Sequence, residues 1–412
     1  EALPEKAKDP AWKPDFGPHI FNAKSGATAI GAREFLIAYN INLNTRDKRK
    51  ASELAAIIRE SGRPAKDEKG RIIKDEQGNK VIIPGLFQHC KAVGWYIESY
   101  KRAQISINLT NYKITPPHIV LEKVRELASE RGIVVTGSEL VGLIPKAAMV
   151  NAGKFYLERM GESTGLPERM IMETAIQSMG LAELTPFDLD KKVIEYAIAK
   201  KDRLSAMSLE SFADLLSTDT PAPGGGSVAA FCAALSAALT AMVSNLTINK
   251  KGYESVQNQV REIAPQAQDI KLQAIQLIDE DTDAFNAMMD ASRLPKKTEE
   301  EIALREQKIE EATKQAILVP FHTLEIALQA LKLADEVAKV GNMNALSDAG
   351  TAALTALTAA KAANYNILIN LPQIKDEAFK EDINNRAMNL LQESETLASQ
   401  IESFVSDRLK NA

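Results

Sequence analysis

The chain has 412 residues, with 50 lysines and arginines against 55 aspartates and glutamates. That balance leaves no basic footprint for nucleic acid. Two cysteines, Cys90 and Cys232, cannot build a disulfide framework and point to a reducing, cytoplasmic setting, while the length predicts two or three domains at about 150 residues each.

Residues 1–25 are rich in proline and charge and are expected to be extended. Ala27 to Leu43 reads as a strand through Phe35, Ile37 and Tyr39. Asp47 to Arg59 places Ala51, Leu54, Ala55 and Ile58 on one helical face. Arg71 to Ile83 predicts a surface hairpin around Gln77-Gly-Asn79. Val93 to Ser99 and Ala103 to Leu109 follow as a pair of strands, Pro116 to Arg131 as a helix with proline at its start, and Ile133 to Val141 as a last strand. The order β, α, β, β, α, β is that of a ferredoxin-like split βαβ layer.

Beyond Pro145 the helical period dominates. Short helices are expected over Pro145 to Gly161, Pro167 to Met179 and Phe187 to Lys200, then long ones over about 227–250, 254–292, 299–340, 347–369 and 374–411. Pro265 and Pro320 are expected to kink two of them. The fold class is therefore α+β multidomain, an α/β sandwich over 1–145, a helical linker over 146–206 and an all-α bundle over 207–412. The Ala- and Leu-rich faces exceed what one bundle hides, which predicts a homo-oligomer.

One stretch divides these halves. Pro221 and Pro223 cannot sit inside a helix, Gly224, Gly225 and Gly226 reach angles closed to other residues, and Ser227 is placed to cap the helix that follows. The first turn of such a helix leaves amides unpaired behind a loop bare of side chains. That geometry suits a carboxylate or developing negative charge, with a plain tight turn as the competing reading. Ala230, Ala234, Ala237, Ala238 and Ala241 then let other helices approach closely. The run is long enough to span a membrane, but Ser236, Thr240, Ser244 and Asn245 interrupt it, and no membrane span is expected.

The next helix carries Ile270, Ala274, Leu277, Ile278, Ala284, Phe285 and Met288 as an apolar stripe, and Asp281 falls within it, whereas Asp279 and Asp283 lie off it. A carboxylate on a buried face is costly unless it is paired or functional, so Asp281 is either a structural partner of a neighbouring helix or an acid–base group. His19, His89, His118 and His322 show no metal-ligand spacing, and Cys232 reads as core. Arg33 could pair with an anionic substrate or be a solvated charge. Ser347-Asp348 reads as a helix cap, with catalysis by Asp348 the lesser alternative, and Asn342 stands beside it.

Pro221-Ala-Pro-Gly-Gly-Gly-Ser-Val-Ala-Ala230, Leu277-Ile-Asp-Glu-Asp-Thr-Asp-Ala-Phe285, Gly341-Asn-Met-Asn-Ala-Leu-Ser-Asp348 and Asn364-Tyr-Asn-Ile-Leu-Ile-Asn-Leu371 resemble the cyclodeaminase domain of formimidoyltransferase-cyclodeaminases. Pro14-Asp-Phe-Gly-Pro18, Gly26-Ala-Thr-Ala-Ile-Gly-Ala-Arg33 and Gly137-Ser-Glu-Leu-Val-Gly-Leu-Ile-Pro145 are similar to the carboxy-terminal subdomain of that family's glutamate formimidoyltransferase domain. The resemblance implies a folate enzyme of histidine degradation, which converts 5-formimidoyltetrahydrofolate to 5,10-methenyltetrahydrofolate and ammonia. It implies tetrahydrofolate as substrate or carrier, with or without a polyglutamate tail, glutamate or N-formimidoylglutamate as the transferase partner, no metal, and dimers that assemble further. It implies Asp281 as the cyclodeaminase acid–base residue and folate contacts from Pro14, Asp15, Phe16, Gly17, Pro18 and Asp67. The glycine-initiated helix, from Gly224 to Ser227, could bind a folate carbonyl or carboxylate. The family's transferase domain also has an amino-terminal subdomain with a catalytic histidine that no residue here matches, so the chain is expected to be part of something longer and formimidoyl transfer is expected to be absent from residues 1–412 as they stand. The reading from another class is a helical folate-binding or scaffold module without turnover.

Overall fold

A computed structural model describes residues 3–6, 8–17, 20–28, 30–199 and 203–411. It resolves into two compact units, Glu1–Val134 and Val135–Ala412. The first is built on an antiparallel sheet of β1 (Ile37–Leu43), β2 (Cys90–Ile97) and β3 (Arg102–Leu109), with β3 in the middle. Ile41 lies opposite Ile105 and Cys90 opposite Leu109, so the apolar residues of each strand meet across the ladder. Helix α1 (Lys48–Ile58) starts at Asp47, whose carboxylate accepts from the Arg49 amide at 2.9 Å, and it buries Ala51, Leu54, Ala55 and Ile58. It lies so close to β2 that a Cβ at Gly94 would stand 2.2 Å from the Ser52 nitrogen; only glycine allows that approach. Helix α2 (Pro117–Ser129) completes this unit and buries Val120, Leu121 and Val124.

Two expectations for this half change. The strand begins at Ile37 rather than Ala27, because the described residues between Gly26 and Phe35, Ala29 lying outside them, are exposed chain outside the sheet: Ile30 is 94% and Phe35 61% exposed. The insertion is longer than a simple hairpin, with Arg63–Pro64 paired to Ile82–Ile83 and further bridges Lys66 to Ile72 and Lys74 to Lys80, while its tip does turn through Asp75 to Asn79.

The second unit opens with β4 (Val135–Val141), which completes the β-α-β-β-α-β order, then α3 (Lys146–Met160) and α4 (Glu168–Met179). The helix expected from Phe187 is not continuous as far as Ala199, Lys200 lying outside the described residues. Leu189–Lys192 and Ile194–Ala197 are single turns separated by Val193, whose backbone bridges to Ile144. The bundle follows: α5 (Leu209–Leu216), α6 (Gly225–Asn245), α7 (Gln257–Ser292), α8 (Glu299–Val340), α9 (Leu346–Asn370) and α10 (Glu377–Lys410). Both α7 and α8 continue through their prolines, Pro265 and Pro320.

Helix α6 is the axis. Its Ala229, Ala230, Ala233, Ala234, Ala237 and Ala241 are buried, with Ala238 half-buried, so α7, α8 and α9 can pack with little more than methyl groups between backbones. By length and apolarity α6 and α8 could each cross a bilayer, yet more than half of the most apolar stretch of each is buried inside this unit. Two of the residues that interrupt α6 turn inward on their own helix, the Thr240 hydroxyl donating to the Ser236 carbonyl at 3.0 Å and the Ser244 hydroxyl to the Thr240 carbonyl at 3.0 Å, while Asn245 reaches off it, its Nδ2 donating to the Gly165 carbonyl at 2.9 Å. The stripe on α7 is buried through Ile270, Ala274, Leu277, Ile278 and Ala284, but Phe285 and Met288 are only half-buried, so the buried face narrows just past Asp281.

Candidate active site

The loop from Thr220 to Gly224 delivers the chain to α6 with Pro223 buried and the Ala222–Pro223 peptide cis. Gly224 is the N-cap residue and has no side chain to offer the helix, and the first intrahelical bond runs from the Val228 amide to the Gly224 carbonyl at 3.1 Å. The amides of Gly225, Gly226 and Ser227 therefore precede the helical ladder. Helix α6 begins two residues earlier than expected, and Ser227 is not its cap. The hydroxyl of Ser227, fully buried, instead donates across to α7, 2.9 Å from Asp281 Oδ2 and 3.1 Å from the Ile278 carbonyl, with Thr282 Oγ1 at 3.4 Å.

Asp281 and the start of α6 fit against each other. A Cβ at Gly226 would stand 2.0 Å from Asp281 Oδ1 and 2.8 Å from Oδ2, so the missing side chain is the space in which the carboxylate sits. Burial raises the Asp281 carboxyl above its ordinary range, and hydrogen bonding from the Ser227 hydroxyl and amide pulls it partly back. An ionised carboxylate at a helix N-terminus also gains from the aligned backbone dipoles. The result is a carboxyl group with opposing influences on its protonation, which is what an acid–base role needs. Its neighbours on α7 differ: Asp279 accepts from the Ser205 hydroxyl at 2.5 Å, and Asp283 is exposed.

From α9, Asn366 reaches the same helix start. A Cβ at Gly225 would stand 3.3 Å from its Nδ2, which itself donates to the Ala362 carbonyl at 2.8 Å. Asn366 was not among the expected site residues, although three asparagines in the apolar run Asn364-Tyr-Asn-Ile-Leu-Ile-Asn370 carry the signal. The other expected residues lie elsewhere. Asn342 is buried at the opposite end of α6, where its amide donates to Thr247 Oγ1 at 2.8 Å and its side chain accepts from the Asn344 amide at 3.1 Å. Asp348 is in the first turn of α9, at that same end. Twenty-one helical residues separate these two from Gly225, about 30 Å at ~1.5 Å per residue.

In the first unit, Pro14, Asp15, Phe16 and Gly17 are exposed, Phe16 at 93%, and Gly17 holds a positive φ of 91°; Pro18 lies outside the described residues. Asp67 is a turn former in the insertion: its carboxylate accepts from the Lys69 amide at 3.0 Å and from the Arg71 amide and Nε at 2.9 Å. Arg33 is not on a strand, and its guanidinium donates to the Glu34 carbonyl at 3.1 Å. His118 is buried and pushed down to about 4 by desolvation, which keeps it neutral, and Cys232 is half-buried with its thiol raised by desolvation, so neither is poised for chemistry.

A sheet-based α/β unit and a helical unit whose glycine-initiated helix receives a half-buried, raised carboxylate define the class, a two-part folate-metabolising enzyme, and mark the start of α6 as its candidate acid–base site. Residues 208–389 match the family model for formiminotransferase-cyclodeaminase, and residues 38–199 match that of the formiminotransferase domain. The chain is 38% identical over 402 residues to a formimidoyltransferase-cyclodeaminase of Mus musculus, which covers 97% of this chain and 71% of that protein. It belongs to the formimidoyltransferase-cyclodeaminase family. Each half also has separate relatives. A methenyltetrahydrofolate cyclohydrolase of Methylorubrum extorquens is 37% identical over 202 residues, 49% of this chain and 97% of that protein. A glutamate formimidoyltransferase of Thermoplasma acidophilum is 38% identical over 165 residues, 40% of this chain and 47% of that protein.

Proposed function

We propose that this protein is a folate-dependent enzyme of histidine degradation whose helical half converts 5-formimidoyltetrahydrofolate to 5,10-methenyltetrahydrofolate and ammonia. The observation that carries the reading is the Asp281 carboxyl, half-buried and seated against Gly226 and Ser227 at the start of α6. N10 of the folate attacks the carbon of the formimidoyl group, which enters as its protonated amidinium, and a tetrahedral carbon bearing NH2 forms between N5 and N10, the positive charge ending on the methenyl product. Asp281 takes the proton that N10 sheds and returns it to the departing amine, so ammonia leaves and the carboxylate is regenerated with no net proton change. With the Ser227 amide turned to Asp281, the Gly225 and Gly226 amides supply donors for a substrate carbonyl or carboxylate, and Asn366 adds an amide beside them.

The transferase half occupies residues 1–145 in this proposal, followed by a helical linker over 146–206 and the cyclodeaminase over 207–412. Tetrahydrofolate is the substrate or carrier for both reactions, and N-formimidoylglutamate donates the group to the transferase domain in a complete chain, the transfer itself being expected to be absent from residues 1–412 alone. The folate contacts from Pro14 to Pro18 and at Asp67, and the assembly of chains into oligomers, belong to the proposal as well.

The test is direct. Purified protein given 5-formimidoyltetrahydrofolate should release ammonia and develop methenyltetrahydrofolate absorbance in equal amounts; folate binding without either product would leave a binding module. A second reading is favoured by one observation, the 37% identity to a methenyltetrahydrofolate cyclohydrolase over 97% of that protein's length. A site that expels ammonia from a carbon bridging N5 and N10 is suited to adding water there. Decay of methenyltetrahydrofolate to 10-formyltetrahydrofolate, faster with protein than without, measures it.

A further inference from the structure

The Ser227 hydroxyl has one proton and three acceptors. Asp281 Oδ2 is at 2.9 Å, the Ile278 carbonyl at 3.1 Å and Thr282 Oγ1 at 3.4 Å, and Ser227 is fully buried, so no water shares the duty of satisfying it. A buried donor that loses its acceptor is costly, and so is a buried carboxylate that loses its donor. Here both are covered. When Asp281 is ionised the hydroxyl donates to it. When Asp281 has taken a proton, the hydroxyl turns to Ile278 and its oxygen is free to accept from the new carboxylic acid.

We propose that Ser227 is a positioning residue that works as a two-way hydrogen-bond switch, holding Asp281 against the start of α6 and letting it change protonation state without stranding a buried polar group. The proposal rests on the cyclodeaminase reading for its use in turnover, but its physical content concerns Asp281 alone. The groups that face the carboxyl are few. Helix α6 has no charged side chain anywhere along its length, and the neighbour from α9 is the neutral amide of Asn366. On α7, Glu280 is exposed, Asp279 is engaged with Ser205 and Asp283 is exposed. Among the described residues, burial and Ser227 are what act on Asp281, with no ion pair between them.

Because the donated hydrogen bond favours the charged form, its removal shifts the titration of Asp281 upward. The experiment follows the carboxyl itself: infrared spectra of the full chain with carbon-13-labelled aspartate, titrated for the wild type, Ser227→Ala and Ser227→Cys, with Asp281→Asn to assign the band. Alanine removes the hydroxyl. Cysteine fills the space with a weak donor, and gives the same reading if alanine impairs folding. Both variants are expected to titrate at higher pH than the wild type and to lose about 10- to 100-fold in kcat at neutral pH with little change in KM, the size of a hydrogen bond to a charged group. An unmoved Asp281 titration in a folded variant overturns the switch, even if kcat falls. Absence of wild-type turnover with the shift intact would instead count against the cyclodeaminase reading.

Discussion

Two side chains and one missing side chain make the proposed site. In that proposal Asp281 is the proton carrier, Ser227 holds it by a hydrogen bond and Gly226 leaves the room, so Gly226→Ala should displace the carboxylate, because a Cβ there stands 2.0 Å from Oδ1. Helix propensity favours alanine over glycine by about 1 kcal/mol at interior positions, so the helix itself should form. We expect unchanged helical circular dichroism with at least a tenfold loss of kcat, the low end of what acid–base assistance contributes; retained turnover would place the reactive carboxyl elsewhere. Asp281 also links function to stability. Its folded-state titration lies above the ordinary carboxylate range, so the native state binds more protons in that window and stability falls as pH rises through it. At neutral pH the ionised form is a standing cost that Asp281→Asn removes. The variant should melt at or above the wild-type temperature at pH 7, with the difference closing as pH drops below the ordinary carboxylate range; a deficit that grows with pH would reverse the sign. Sequence pattern singled out Asp281 because it interrupts an apolar stripe at helical spacing. It assigned Ser227 to the cap because serine after glycine usually is one, and the true partner lies 54 residues away on another helix.

At the scale of elements, the alanines of α6 are a spacing device. Ala237 is fully buried, and methyl-sized residues there set how near α7 and α9 come. Ala237→Leu adds three carbons to a closed space and should cost about 1–3 kcal/mol, read as a lower denaturant midpoint at unchanged slope. An unaffected midpoint would mean that the bundle has slack at its centre. The five long helices were legible to within a few residues, because each hides a face wide enough to impose the 3.6 period on its sequence. Two segments misled for physical reasons. Ile30 to Phe35 has strand-like residues but no ladder, and Phe187 to Ala199 has helical residues interrupted where the Val193 backbone is drawn into a bridge with Ile144. Asn366 was passed over because asparagine on a helix is ordinary. Its meaning comes from the glycine it faces.

For the whole molecule, α6 and its C-cap residue leave Leu235, Met242 and Leu246 exposed at seven- and four-residue intervals, and α9 leaves Leu354, Tyr365, Leu368 and Ile369 exposed, Ile369 at 71%. Stripes of this kind are what a second copy would cover. Sedimentation should give a multiple of 45.0 kDa, and Leu246→Asp should lower it; a monomer at micromolar concentration would contradict the proposed assembly. The ion pairs at the rim of the bundle, such as Lys332 to Glu393 and Lys361 to Glu395, are half-exposed and worth at most about 1 kcal/mol each, so assembly and fold should both tolerate moderate salt. The account as a whole stands on one carboxyl group in one helical unit. Stopped-flow absorbance of methenyltetrahydrofolate formation from 5-formimidoyltetrahydrofolate, for Asp281→Asn beside Asp279→Asn and Asp283→Asn, tests it most directly. The first variant should fold, bind folate and lose about 10²- to 10⁴-fold in kcat, while the other two, one tied to Ser205 and one in solvent, should stay near wild type. A near-normal kcat in Asp281→Asn, or a larger loss in either of the others, contradicts the account.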